Sequence, residues 1–185
     1  MSAAAPRLGR LQGAPAREHP ELLAPVVAAA LAGLPELAVH VAAIDPRLAD
    51  TAAFCEAYDV APAESANCVV VSGRRGGEER VAACLVLATT RADVNGVVRR
   101  LLDVRKASFL AMDDAVGRTG MEYGGITPVG LPAGWPVLVD AAVASLPLTV
   151  VGSGLRRSKL VLPGSSLAAL PGARVVEGLG RPLSG

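Results

Sequence analysis

The segment spanning residues 121–132 restricts the fold of this chain more than any other stretch of its sequence. It contains three glycines and two prolines, namely Gly124, Gly125, Gly130, Pro128 and Pro132. The glycines allow positive φ angles and the close approach of another group, while the prolines stiffen the backbone. Such a loop can direct backbone N–H groups at a ligand oxygen and hold a carbonyl or an oxyanion without an ionised side chain. A glycine-rich turn at the edge of a sheet is the structural alternative.

The composition favours one globular domain whose core is aliphatic. A length of 185 residues is enough to bury a core, and 51% of the residues are hydrophobic. Only five side chains are aromatic, so the core must be built from Val, Leu and Ala. The formal net charge of +1 gives no overall basic field, so any RNA contact must be local. DNA is not expected as a partner.

The N-terminal region predicts neither a leader nor a membrane anchor. Residues 1–18 read as a flexible tail rich in Ala, Pro, Gly and Arg, and residues 19–180 as one domain. The apolar segment 22–34 is flanked by proline and too short to span a bilayer. Three cysteines without metal-ligand spacing fit a reducing compartment. We therefore expect a cytoplasmic protein without a membrane partner, and the sequence leaves its oligomeric state open.

Periodicity and turn residues predict short helices and strands that are mixed along the chain rather than strictly alternating. The predicted helices cover residues 20–32, 51–58, 93–102 and 113–118, with a short helix after Pro163. The predicted strands cover residues 36–44, 68–72, 80–87, 137–140, 148–151, 159–162 and 173–177, with a hairpin loop at 73–78. This order favours a mixed α/β domain, in which helices flank a mixed β-sheet, over a doubly wound parallel sheet.

The side chains that most often carry catalysis are scarce. The two histidines, His19 and His40, both lie in the N-terminal portion, which argues against a Ser-His-Asp triad and against a histidine-rich metal site. The phosphate-binding pattern GxxxxGK[ST] is absent. Cys68 begins an apolar strand without an evident basic partner, so a core cysteine is the better interpretation than a nucleophile. We expect neither a metal nor a cofactor.

Two further segments are candidates for a ligand site. Asp140 ends an apolar strand after the glycine-rich loop and either lines a pocket or caps the following turn. Gly152, Ser153 and Gly154 follow another strand, where small residues let a ligand approach the backbone or simply form a tight turn.

Basic residues form three local clusters that can contact phosphates or can simply be solvated. They comprise Arg74, Arg75 and Arg80; Arg99, Arg100, Arg105 and Lys106; and Arg156, Arg157 and Lys159. Sequence alone does not show whether the three clusters share a face.

Several of these motifs together resemble the YbaK-type family, which includes the editing domain inserted in bacterial prolyl-tRNA synthetases. The loop at residues 124–128 has the Gly-x-x-x-Pro spacing of that family. The resemblance continues in order through residues 65–71, 93–98, 137–140, 150–154 and 158–162. It covers about residues 35–178 and implies a curved, partly barrel-like mixed sheet with a pocket between the sheet and the glycine loop.

The resemblance also implies an activity. Members of the family hydrolyse the ester that joins a wrong amino acid to its tRNA, and they act on the acceptor end without a metal. The resemblance implies that backbone N–H groups hold the ester carbonyl. These groups belong to the loop formed by Gly124, Gly125, Ile126, Thr127 and Pro128. A lysine at the start of the first core strand is replaced here by Asn67, which can donate a hydrogen bond but carries no charge. The candidate substrate contacts are Ser65, Gly130, Asp140, Gly152, Ser153, Gly154 and Lys106, and the resemblance favours Asp140 and the turn at 152–154 among them.

The sequence thus predicts an aminoacyl-tRNA deacylase that acts in trans. A module that binds a tRNA end or a small aminoacyl ligand without hydrolysis is the alternative, as is an unrelated role on the same fold.

Overall fold

The computed structural model describes residues 7–183 and shows a mixed α/β architecture. The strands, in chain order, are β1 Ala14–Pro15, β2 His40–Ala43, β3 Ala66–Arg75, β4 Glu78–Leu87, β5 Thr90–Ala92, β6 Ala107–Phe109, β7 Val137–Asp140, β8 Thr149–Gly152, β9 Ser158–Leu162, β10 Ala173–Val176 and β11 Gly180–Pro182. The helices are α1 Pro25–Ala32, α2 Thr51–Tyr58, α3 Arg99–Leu101, α4 Met112–Thr119, α5 Ala141–Ala144 and α6 Gly164–Ala168. A π-helix, Val94–Val98, runs directly into α3.

Two sheets and a separate strand pair organise the chain. The larger sheet has the order β10-β7-β4-β3-β6, in which β4, β7 and β10 are parallel and β3 is antiparallel to both of its neighbours. The second sheet, β1-β2-β9-β8, is antiparallel, and β11 pairs with β5. A parallel bridge between Ser65 and Val150 joins the start of β3 to β8 in the second sheet. The prediction of a mixed, partly barrel-like sheet flanked by helices is confirmed.

The core is aliphatic, as the composition predicts. Its largest cluster of buried side chains lies between α1 and the two sheets and includes Val27, Leu31, Leu85, Val139 and Leu160. A second cluster packs the π-helix and α3 against β3 and β4, and a third lies beneath α2 around Phe54. Within residues 7–183, none of the helices combines the length and apolar character needed to cross a membrane.

Several predicted boundaries agree with the structure because the local turn chemistry is unambiguous. The hairpin between β3 and β4 is confirmed, but its loop is only Gly76 and Gly77, with φ of 59° and 86°, and is shorter than the predicted loop at 73–78 because both strands continue to the turn. Helix α4 ends at Gly120, which adopts a left-handed conformation with φ of 69°. The limits of β7 match the predicted strand at 137–140.

Other predicted boundaries are wrong. The first helix begins at Pro25 rather than near Pro20, because Pro20–Leu22 forms a 3-10 turn and the chain is extended at Leu23. The helix predicted at 93–102 is preceded directly by the strand β5. Asp93 alone is the cap, and its carboxylate accepts hydrogen bonds from the N–H groups of Gly96 and Val97, both at 3.1 Å.

The domain begins before residue 19. Leu8, Leu11 and Ala16 are buried, and the N–H of Arg10 donates to the carbonyl of Tyr58 at 2.7 Å. Residues 1–6 of the predicted tail lie outside the described residues. The packed domain therefore extends at least to Leu8.

Candidate active site

A cavity of about 500 Å³, here called the central cavity, opens where the two sheets meet. Its wall combines the start of β3, the end of β8, the residues around the N-terminus of α2, and part of the glycine-rich loop. Lys159 of β9 and the connection from β6 to α4 complete the lining. Of the residues predicted to form the site, the central cavity brings together Ser65, Asn67, Gly124, Ile126 and Gly152.

The glycine-rich loop is held against the turn that follows β8. The N–H of Gly154 donates to the carbonyl of Gly125 at 2.7 Å, and the N–H of Glu122 donates to the carbonyl of Gly154 at 2.8 Å. A Cβ on Gly152 would overlap the carbonyl oxygen of Gly125. The absence of a side chain at Gly152 therefore lets the two backbone segments meet, and this contact positions the loop at the cavity.

The backbone N–H groups of the loop differ in whether a protein atom already accepts from them. The Gly125 N–H donates to the carbonyl of Glu122 at 2.9 Å, and the Thr127 N–H contacts the sulfur of Met121 at 3.4 Å. Gly124 and Ile126 both line the central cavity, and their N–H groups have no hydrogen-bond acceptor among residues 7–183. Two amides of the loop therefore remain able to bind an oxygen of a ligand.

Thr127 and Pro128 are buried outside the lining of the central cavity. The Thr127 hydroxyl is enclosed and has no hydrogen-bond partner among the described residues. The residues of the loop that line the cavity directly are thus the exposed Tyr123 and Gly124, together with Ile126.

Asn67 is half-buried in the cavity wall and is oriented by α2. Its side-chain oxygen accepts a hydrogen bond from the hydroxyl of Thr51, the first residue of that helix, at 2.9 Å. Because this bond uses the oxygen, the Asn67 NH₂ group keeps both of its donors, and none of the described residues accepts from them. Asn67 can therefore donate to a ligand in the cavity.

Lys159 supplies a cationic side chain that sequence reasoning placed only in a surface cluster. Its ammonium group donates to the carbonyl of Ala49 at 3.1 Å and lies 5.2 Å from the centre of the Phe54 ring. Burial lowers the pKa of Lys159 below its ordinary value of 10.5, and the nearby Arg156 lowers it further. The sequence signal for this position was a lone lysine in a strand otherwise made of small or apolar residues.

Arg156 braces the rim of the central cavity. Its guanidinium group donates to the carbonyl of Tyr123 at 3.2 Å and to the carboxylate of Asp50 at 3.4 Å. The same group lies 5.8 Å from the centre of the Tyr123 ring. The backbone N–H of Arg156 also donates to the Glu122 carboxylate at 2.6 Å. These contacts fix the loop residue Tyr123 at the entrance.

The other predicted contacts lie away from the central cavity. Asp140 accepts a hydrogen bond from the N–H of Ala142 at 2.8 Å and another from the N–H of Gly180, so it caps α5 and holds β11. Ser153 is buried and bonded to Ser158, Gly154 packs on α1, and Lys106 is exposed beside β6. Gly130 lies in a second groove of about 690 Å³, whose lining contains no ionisable side chain.

The thiols are poor nucleophiles. Cys68 lines the central cavity, but burial raises the pKa of its thiol, as does the neighbouring Cys84. Burial also raises the pKa of Cys84 to about 12. Both side chains are therefore protonated at neutral pH. Among residues 7–183, no group of three or more His, Cys, Asp or Glu side chains is arranged to hold a metal ion.

Comparison with known proteins gives a consistent family match. The sequence model of the aminoacyl-tRNA editing domain family matches residues 45–170, which is more than half of the chain. No curated protein matches the sequence.

Solved structures show the same fold at low identity. A crystal structure described as "a putative trans-editing enzyme for prolyl tRNA synthetase" superposes with a TM-score of 0.70 and 22% identity, covering 83% of this chain and 94% of that one. The crystal structure of a hypothetical protein superposes with a TM-score of 0.71 and 19% sequence identity, and the match covers 80% of this chain and 95% of that one. A structure from work on epitope backbone grafting onto scaffold proteins superposes with a TM-score of 0.72 and 22% sequence identity. The match covers 86% of this chain and 97% of that one.

Proposed function

We propose that this chain, which belongs to the aminoacyl-tRNA editing domain family, is a deacylase that hydrolyses the ester of mischarged tRNA in trans. The observation that carries the proposal is the lining of the central cavity. Two loop amides without a protein acceptor, the Asn67 side chain and Lys159 all belong to that lining. The likeness to a structure described as a trans-editing enzyme supports action on a tRNA released from its synthetase.

The ester carbonyl binds the N–H groups of Gly124 and Ile126. Donors that are already fixed in place stabilise the negative charge that develops on this oxygen, because they need no reorganisation during the reaction. The contact between Gly125 and Gly154 holds the loop, so that its free amides keep their positions. This assignment narrows the five-residue loop of the sequence prediction to the two residues that line the cavity.

Asn67 and Lys159 position the substrate from the side of the cavity formed by β3, α2 and β9. The Asn67 NH₂ group donates to an oxygen of the aminoacyl ester or of the terminal ribose. Lys159 supplies a positive charge, which Asn67 lacks, and its partly buried position makes this charge more effective than on the surface. The lysine that the family resemblance places at position 67 is thereby replaced by a lysine on another strand.

Water is the nucleophile in this scheme. The lining contains no histidine, its one cysteine, Cys68, is protonated, and its one carboxylate, Asp50, is held by Arg156. Orientation of the water and polarisation of the carbonyl therefore supply the acceleration, and the terminal ribose hydroxyl of the substrate contributes to that orientation. An ester is reactive enough for such a mechanism.

Release of amino acids from a panel of labelled aminoacyl-tRNAs tests the proposal. The panel includes alanyl- and cysteinyl-tRNA for proline, and Asn67→Ala is the matched variant. We expect rapid release from at least one member and slower release by the variant. Release at the spontaneous rate from every member, by protein that is folded and binds tRNA, would favour the non-catalytic binding module instead.

A further inference from the structure

Large apolar side chains are exposed at the entrance of the central cavity. Among residues 7–183, the exposed large hydrophobic side chains are Phe109, Met112, Tyr123, Val175 and Leu183. The first three, with exposed fractions of 59%, 49% and 54%, all line the central cavity. Phe109 and Tyr123 are two of only five aromatic residues in the chain. Their concentration at one opening marks a binding surface.

Both rings are carried by backbone that is fixed. Phe109 is the last residue of β6, where it pairs with Val71, and the next residue, Leu110, donates its N–H to the carbonyl of Val70 at 2.8 Å. The carbonyl of Tyr123 accepts from Arg156, whose guanidinium group also lies near the Tyr123 ring. The rings therefore face solvent on a rigid frame, and a flat ligand can bind them without ordering the backbone.

We propose that Phe109 and Tyr123 form a stacking platform for nucleobases of the single-stranded 3′ end whose terminal ester enters the central cavity. This inference rests on the proposed function, because the ester brings the last nucleotides to this entrance. Exposed aromatic rings bind single-stranded nucleic acid by stacking, and every base has a flat face that they can accept. Met112 extends the apolar surface between strand β6 and the cavity.

The charges around the platform agree with a nucleic acid strand that leaves along β6. Arg74, Arg105 and Lys106 are exposed, and none of them has an ion-pair partner among the described residues. Lys106 precedes Phe109 by three residues, about 10 Å along an extended strand. Phosphates that follow the stacked bases can therefore reach free cations on this edge.

Charges elsewhere near the platform restrict the direction of the strand. Arg75 and Arg80 are both paired with Asp103, so they are less available. Asp113 and Asp114 lie in the first turn of α4 and disfavour phosphates on that side. The path along β6 is the one that charge permits.

Binding of oligonucleotides that carry no esterified amino acid tests the platform separately from hydrolysis. The probe is a 5′-fluorescein-labelled ACCA tetranucleotide, compared with the same strand carrying abasic sites at its last two positions. We expect Phe109→Ala and Tyr123→Ala each to raise the Kd for ACCA by roughly tenfold, in line with the loss of one stacked base. Neither variant should change the already weak binding of the abasic strand.

Matched variants separate stacking from general apolar contact. Phe109→Leu keeps an apolar side chain without a ring and should bind as weakly as Phe109→Ala, whereas Phe109→Trp should restore binding. Val175→Ala and Leu183→Ala remove other exposed apolar side chains and should leave the Kd unchanged. Equal binding of ACCA by wild type, Phe109→Ala and Tyr123→Ala overturns the platform. The platform is also overturned if the wild type self-associates and Phe109→Ala abolishes this association, because the exposed side chains at the entrance would then form a contact between two copies of the chain.

Deacylation measured in parallel distinguishes this inference from the proposed function. If wild type releases an amino acid and the two alanine variants keep its KM, the function stands and the platform fails. If wild type releases none but the variants lose ACCA binding, the platform stands and the hydrolytic function fails. Thermal unfolding of each variant verifies that the exposed substitutions leave the fold intact.

Discussion

The hydroxyl of Thr51 donates a hydrogen bond to the side-chain oxygen of Asn67 at 2.9 Å and so connects the start of α2 to the start of β3. This bond determines which end of the Asn67 amide faces the central cavity. With the oxygen engaged, the NH₂ group remains as a donor to substrate. Thr51 is therefore a positioning residue for Asn67 as well as the first residue of a helix.

Thr51→Val should lower kcat about threefold to tenfold and leave the fold nearly as stable, because it frees the Asn67 amide to rotate. The lost hydrogen bond is worth about 1 kcal/mol of unfolding free energy. Thr51→Ser keeps the hydroxyl and should behave like wild type. Steady-state deacylation and urea unfolding of the two variants check this. A loss in Thr51→Ser combined with wild-type behaviour of Thr51→Val would show that the methyl packing of Thr51 matters instead.

Gly152→Ala should displace the glycine-rich loop. Its added methyl group overlaps the carbonyl of Gly125 and lies 2.7 Å from the carbonyl of Ile126. We expect a loss of about 1–3 kcal/mol of unfolding free energy from overpacking and at least a tenfold lower kcat, because the free amides move. Gly117→Ala is the matched control, since its methyl group meets no atom within 4 Å and it lies inside α4. It should stabilise slightly and leave kcat unchanged.

Local chemistry explains which elements the sequence predicts well. The strand β7 is a short apolar run that ends at a capping aspartate, and the turn at Gly76 and Gly77 needs positive φ at both positions. Each of these signals lies within a few neighbouring residues. The strand β6, by contrast, is not predicted. It has only three residues, and it forms by pairing with Val71, Ser72 and Gly73, which lie far away in sequence.

The site shows the same division. The loop and Asn67 are predicted at the cavity because they belong to motifs that are contiguous in sequence. Lys159 is missed as a cavity residue because strand periodicity gives the side on which it lies but not what packs opposite that side. Its neighbours Ala49 and Phe54 come from a segment about a hundred residues earlier. Asp140 is ambiguous in sequence for the same reason, since Gly180 is its distant partner.

Asp140→Ala should destabilise the protein without a specific effect on catalysis. It removes the cap of α5 and leaves the N–H of Gly180 without its acceptor, at a cost of about 1–3 kcal/mol. Asp140→Asn keeps a capping oxygen and should lose less. Unfolding by urea gives the free energies, and deacylation at a temperature where all variants are folded gives KM. A raised KM in folded Asp140→Asn would instead support direct contact with substrate.

Lys159→Met should lower the deacylation rate by about tenfold to a hundredfold, because it removes the positive charge from the cavity wall. In wild type the rate, corrected for spontaneous hydrolysis, should fall as the pH rises through the lowered pKa of Lys159, since the ammonium group then loses its proton. Lys159→Met should lack this fall. Lys106→Met removes the only other lysine and should raise KM rather than change the pH profile of kcat. Identical profiles for wild type and Lys159→Met would exclude the ammonium group from catalysis.

Lys159 should also make the stability of the protein depend on pH. Burial lowers its pKa in the folded state, whereas the unfolded chain keeps the ordinary value of 10.5. Between these two pKa values the unfolded state binds more protons, so the unfolding free energy of wild type rises with pH across that window. Below the window both states carry the charge, and the folded state bears the full cost of desolvation. Lys159→Met should be more stable than wild type at neutral pH and should lack the rise. Urea unfolding of both proteins from pH 7 to 10.5 measures the difference, and parallel curves would show that the ammonium group is as well solvated in the fold as in the unfolded chain.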